Sequence, residues 1–189
     1  MTEAPVRRDA ARNRARLLAA ARHVVAERGP EVPLDEIARE AGVSRTTLHR
    51  HFADREALVA AVLQGNVEEI EARARDLRER DDGAAELFGH VLDVQVGTPW
   101  LAQMVAQERS GGLAELSDRT KAAFEPLMAH ARAAGTVHPG VTADDVLLAL
   151  PMMMAALAVD RRATGPEGLS RARRILHRGL FTTTPPESR

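Results

Sequence analysis

Apolar residues recur at helical spacing along most of the chain, and glycine, proline and capping residues punctuate the recurrences. Leu17, Leu18, Ala21, Val24 and Val25 predict a first helix over Asp9 to Arg28, ended by Gly29-Pro30. A short second helix starts near Pro33, with Leu34, Ile37, Ala38 and Ala41 as its apolar side. Gly42-Val43-Ser44 is a break, and the Ser44 hydroxyl can cap a third helix over Arg45 to Phe52 that places Leu48 and Phe52 on one side. Asp54 is expected to cap a long fourth helix reaching Arg80, which would be ~40 Å at the helical rise. Its far half is densely charged, with i,i+4 pairs such as Glu69–Arg73 and Glu71–Arg75. Further helices are predicted over Ala84–Val96, Trp100–Arg109, Ala114–Ala134, Thr142–Thr164 with a kink at Pro151, and Leu169–Leu180, and the tail from Thr182 should fray. The sum is an all-α chain of about nine helices.

Composition agrees with that reading. Aromatics are 3% of the 189 residues and hydrophobic residues 44%, a balance that favours helices over strands in a globular chain. There is no cysteine, which excludes disulfides, thiolate metal sites and a cysteine nucleophile. The longest uncharged apolar stretch, between Asp145 and Asp160, is too short for a membrane span and contains Pro151. Arginines occupy the place of a signal-peptide core, so a cytoplasmic protein is expected. The net charge of −1 is uninformative until resolved along the chain. Residues 1–60 hold eleven arginines against nine acids, and Arg7, Arg8, Arg12, Arg14 and Arg16 form the strongest basic run. That run is either an arm for DNA or a solvated helix start.

The informative stretch is Leu34 to Phe52, LDEIAREAGVSRTTLHRHF. A short amphipathic helix, a turn containing glycine and a second short helix make a helix-turn-helix. Gly42 can take the left-handed backbone that ends the first helix, and small Ala38 permits close approach of the second. At about 100° per residue, Leu48 and Phe52 turn inward while Thr46 and Arg50 turn outward, flanked by His49 and Thr47, with Arg45 at the helix start. That face bears donors for phosphates and base edges and no carboxylate; the alternative is a plain solvated face.

The first ~60 residues resemble the DNA-binding domain of the tetracycline-repressor (TetR) family. The residues that carry the resemblance are Ile37-Ala38, Ala41-Gly42-Val43-Ser44, Leu48, Phe52 and Asp54-Arg55-Glu56-Ala57-Leu58. The chain departs from the family pattern at Val32-Pro33, which supplies no capping hydroxyl, at Thr46, and at His49, where the family commonly has a phosphate-contacting Tyr. The resemblance implies a three-helix DNA-binding domain over residues 1–53 and a ligand-binding and dimerisation domain over 54–189, joined by the long helix 54–80. It implies DNA contacts from Arg45, Thr46, Thr47, His49, Arg50 and Arg55, with double-stranded operator DNA as partner. The last two long helices would form a homodimer interface through Val146, Leu150, Met153, Leu157, Ile175 and Leu176; the alternative is a monomer with these residues all in one core.

A pocket for a small, largely apolar effector is placed among Phe88, Leu92, Trp100, Met104, Phe124 and Met128, where the large soft side chains concentrate, although for any single one of them plain core is the stronger reading. His90, His130 and His138 share no metal-ligand spacing, so no metal and no cofactor are expected. No nucleophile–base arrangement, phosphate loop or paired carboxylates point to catalysis. The expected function is a dimeric transcription regulator, most often a repressor released by its ligand; the alternative is a helical DNA-binding or scaffold protein with no ligand response.

Overall fold

The computed structural model describes residues 3–28, 31–97, 112–163 and 165–184. Among the described residues the fold is all-α, with eight helices: α1 (Glu3–Arg28), α2 (Leu34–Glu40), α3 (Arg45–His51), α4 (Arg55–Asp76), α5 (Gly83–Gly97), α6 (Gly112–Ala134), α7 (Ala143–Ala163) and α8 (Gly165–Leu180). The helix expected over Trp100–Arg109 lies outside the described residues. Two compact units part between Gly65 and Asn66, inside α4.

The first unit is a three-helix arrangement closed by the start of α4. Leu17, Ala21, Val24 and Val25 of α1, Ile37 and Ala38 of α2, Leu48 of α3, Phe52, and Leu58 and Val62 of α4 bury one apolar cluster. Truncating a leucine in such a cluster to alanine typically costs about 2–5 kcal/mol. The α2 end is a Schellman motif: Val43 N–H donates to Ala38 C=O at 3.0 Å and Gly42 N–H to Arg39 C=O at 3.0 Å. Gly42 has φ +63°, the left-handed region that disfavours a Cβ. The Arg16 guanidinium lies where that Cβ would project, and Arg14 stacks 4.9 Å from the Phe52 ring centroid. The basic run is therefore part of helix α1, with Arg14 and Arg16 turned onto the helix-turn-helix.

The second unit packs Ile70 and Ala74 of α4, Leu77, Phe88 and Leu92 of α5, Phe124, Leu127 and Met128 of α6, and Val146, Ala149, Leu150 and Met153 of α7 in one core. Helix α4 stops at Asp76, short of the expected Arg80. Buried Leu77 pulls the chain inward, and tight turns follow, with Arg80 N–H bonded to Leu77 C=O and Gly83 N–H to Arg80 C=O. The Arg80 side chain clasps Asp82 at 3.0 Å and Glu86 at 2.6 Å across that turn. Thr142 and Asp145 cap α7 reciprocally: Thr142 N–H donates to the Asp145 carboxylate at 2.8 Å and Asp145 N–H faces the Thr142 hydroxyl at 3.4 Å. Glu71 of α4 takes a fork of two bonds from Arg119 of α6, at 2.8 and 2.9 Å, which holds its carboxyl below the usual range.

The chain past α8 is not loose at its start. Phe181 is buried and bridged to Val137, and Thr182 N–H donates to Thr136 C=O at 3.1 Å. One turn before Phe181, His177 is 2% exposed with neither ring nitrogen hydrogen-bonded. Its ring lies 5.2 Å from that of Phe181, which lies 5.7 Å from Phe88. Burial, and then the Arg173 charge, hold His177 below its ordinary value, so the folded chain keeps it neutral.

Gly42→Ala should lower the stability of the first unit by about 1–2 kcal/mol for the left-handed backbone alone, read as a fall in urea midpoint. Adding Arg16→Ala should recover only the part due to the clash. For His177, the unfolded chain takes up the proton first as pH falls. Stability should therefore be full above about pH 6.5 and decline below it, by at most about 1.4 kcal/mol per pH unit for one proton. Unfolding curves of His177→Phe across pH 5 to 8 should show a shallower acid decline than wild type.

Candidate nucleic-acid interface

The geometry of α3 is set from its two ends and from behind. At its start, Ser44 is extended and its hydroxyl oxygen accepts from Thr47 N–H at 3.1 Å. Leu48 and Phe52 anchor the inner side, and Phe52 N–H donates to Leu48 C=O at 2.8 Å to close the last turn. Directly after, the Asp54 carboxylate accepts from Ala57 N–H at 2.7 Å and starts α4.

With the inner side so fixed, Arg45, Thr46, His49 and Arg50 stand exposed. Among the described residues no hydrogen bond or ion pair engages the side chains of Thr46, His49 or Arg50. Arg45 is held: its Nη1 donates to Asp35 Oδ2 of α2 at 3.2 Å. Two other candidates are tied inside the unit. Thr47 is half-buried and its hydroxyl lies 2.9 Å from the Ser44 hydroxyl, so the α3 cap uses it. Arg55 is half-buried and donates from Nη2 to Val32 C=O at 2.6 Å, linking the start of α4 to the segment before α2. The local sequence carries no sign of the Arg55 tie, because the folded turn brings Val32 to it. His51 is half-buried beside Phe52, and burial, Arg50 and Arg14 all lower its titration point, so it adds no charge at neutral pH.

In the second unit, Phe88, Leu92, Phe124 and Met128 come together in the core, all fully buried. Trp100 and Met104 lie outside the described residues. A separate open groove of about 280 Å³ follows α8, lined by Glu167, Ser170, Arg171 and Arg174. The apolar surface available to a partner differs from the expectation. Val146, Leu150 and Met153 point into the chain's own core, and Leu176 packs against it half-buried. The outward apolar residues are Leu148 (60% exposed) and Met152 (53%) of α7 and Ile175 (64%) of α8. The Leu157 side chain lies outside the described residues. Among the described residues no helix is long and apolar enough to cross a membrane, and no cluster of three His, Cys, Asp or Glu could hold a metal ion.

Known proteins share this arrangement. The family model of bacterial regulatory proteins of the tetR family matches residues 17–62, and that of the C-terminal domain of SbtR-like transcriptional regulators matches residues 96–182. The HTH-type transcriptional activator FasR of Mycolicibacterium smegmatis is 39% identical over 83 residues, a stretch spanning 40% of this chain and only 38% of that protein. The crystal structure of a TetR transcription regulatory protein from Mycobacterium vanbaalenii is 29% identical, with a TM-score of 0.71 over 94% of this chain and 99% of its own. That of a TetR transcriptional regulator from Streptomyces coelicolor is 26% identical, with a TM-score of 0.67 over 90% of this chain and 99% of its own. The matched models cover the helix-turn-helix and the helical unit from residue 96 onward, and the buried seam of α2 and α3 supplies the physical basis of the first match: the chain belongs to the TetR family of bacterial DNA-binding transcription regulators.

Proposed function

We propose that the protein is a homodimeric repressor that reads a near-palindromic DNA operator through α3 and is released by a small, largely apolar effector. The observation that carries this reading is the outward face of α3, where Arg45, Thr46, His49 and Arg50 stand in solvent on a helix fixed from behind by Leu48 and Phe52. Arginine can bond guanine O6 and N7, and threonine can offer a methyl to thymine. Thr47 and Arg55 serve as the scaffold of that face through their internal bonds.

Dimerisation supplies the second reading head. A two-fold axis beside α7 and α8 would bury Leu148, Met152 and Ile175 of both copies, in place of the inward Val146, Leu150 and Met153. Two heads then fall about one DNA turn apart, ~34–36 Å, or further if the dimer spreads them. The effector is assigned to the apolar set Phe88, Leu92, Phe124 and Met128 with Trp100 and Met104, where Met and aromatic side chains can repack around a ligand. Helix α4 contributes to both cores, so a shift of its second half is the means of coupling, worth about 1–3 kcal/mol and reciprocal between ligand and DNA. The activator name of the M. smegmatis relative supports a second reading, in which bound protein raises transcription. A promoter reporter decides between them: repression predicts a signal that falls when the protein is supplied and returns with effector.

Arg50→Ala should weaken binding to the protein's own upstream DNA by about 10–100-fold in a mobility shift at fixed salt. An unchanged shift would remove α3 as the reader. Leu148→Glu with Ile175→Glu should give a folded monomer by sedimentation and lose operator binding with it. Leu150→Ala, by contrast, should cost about 2–5 kcal/mol of stability yet leave the folded protein dimeric. A wild type that sediments only as monomer at micromolar concentration overturns the dimer.

A further inference from the structure

The reading face holds two arginines in different circumstances. Arg50 has no side-chain partner among the described residues, while Arg45 is held by a carboxylate from the preceding helix. Arg45 Nη1 donates to Asp35 Oδ2 at 3.2 Å, and its Nε lies 3.2 Å from Asp35 Oδ1. Asp35 stands in the first turn of α2, ten residues earlier, and the turn at Gly42 brings it to the start of α3. Both side chains are largely exposed, so the pair adds little to folding.

Sequence-independent affinity grows with the number of phosphates that cations neutralise. A carboxylate beside Arg45 offsets the charge that this arginine would offer to any passing phosphate. The same bond restrains a long side chain before binding, which lowers the ordering cost when its remaining N–H groups meet a guanine edge. Asp35 thus penalises indiscriminate contact and leaves directed contact intact. We infer that Asp35 is a specificity-determining positioning residue, which acts through Arg45 to raise the ratio of specific to non-specific DNA affinity. The inference rests on the proposed reading of DNA by α3.

The test uses the full chain with Asp35→Asn, Asp35→Glu, Arg45→Ala and the double variant Asp35→Asn/Arg45→Ala. Selection from a random duplex pool gives each protein's base profile. Anisotropy on the wild-type-selected duplex and on a scrambled duplex, across a salt series, gives the specificity ratio and the salt slope. Asp35→Asn should bind the scrambled duplex severalfold more tightly, with a log–log salt slope steeper by about one. Its specificity ratio should fall by about tenfold, and guanine enrichment should weaken at the position that Arg45→Ala also loses. Asp35→Glu should restore all three, and adding Asp35→Asn to Arg45→Ala should change neither slope nor profile. An Asp35→Asn protein with wild-type ratio, slope and profile overturns the assignment alone. A slope that steepens equally in the double variant overturns action through Arg45. A wild type that enriches no sequence overturns the DNA-reading function together with this inference.

Discussion

Between α2 and α3 the backbone turns through the left-handed region at Gly42, and the helix after it can then lie across Ile37 and Ala38 with Leu48 fully buried. The direction of α3, and hence which of its residues meet solvent, follows from that turn. Ser44 starts the helix and Phe52 ends it, so seven residues are held at both ends as well as along one side. A helix of that length has little stability of its own in water; tertiary packing supplies it. The exposed face is consequently as rigid as the seam behind it, which suits a surface that must match a groove.

Charge in this unit is used inward as much as outward. Arg14 covers Phe52, Arg16 covers Gly42, Arg28 meets Glu36 at 2.5 Å, and Arg55 donates to Val32 C=O. A count of eleven arginines in the first 60 residues therefore overstates the free positive charge. The helical unit uses the same chemistry between helices, with Arg119 forking onto Glu71 and Arg173 onto Asp93. Helix α4 belongs to both cores, through Leu58 and Val62 in one and Ile70 and Ala74 in the other.

The first unit was legible because its apolar spacing is one-sided and its caps are local: Ser44 with Thr47 and Asp54 with Ala57 each pair residues three apart, as Thr142 and Asp145 do at the start of α7 in the second unit. Helix α7 shows where such reading stops. Val146, Leu150 and Met153 make one apolar face, and Leu148 and Met152 make another. Periodicity cannot say which of two apolar faces is covered by the chain's own core; the fold turns Val146, Leu150 and Met153 inward and leaves Leu148 and Met152 outside. Helix α4 ends before its charged pattern does because buried Leu77 turns the chain inward, a tertiary cause that no breaker residue marks. The ties of Arg55 and Arg45 were illegible because they join residues through folded turns rather than through helical spacing.

The bridge between Val137 and Phe181 has a consequence for anyone who shortens or tags the chain. Helix α8 ends at Leu180, and a truncation drawn at that helix end would look conservative. It would remove a buried ring that packs at a tilt against both Phe88 and His177, and the partner of the Val137 strand-like bridge. It would also take away Thr182, whose hydroxyl donates to Gly135 C=O at the end of α6. The functional C-terminal boundary of the helical unit thus lies at least two residues beyond its last helix, and a linker or reporter should be joined after Thr182 rather than at the helix end.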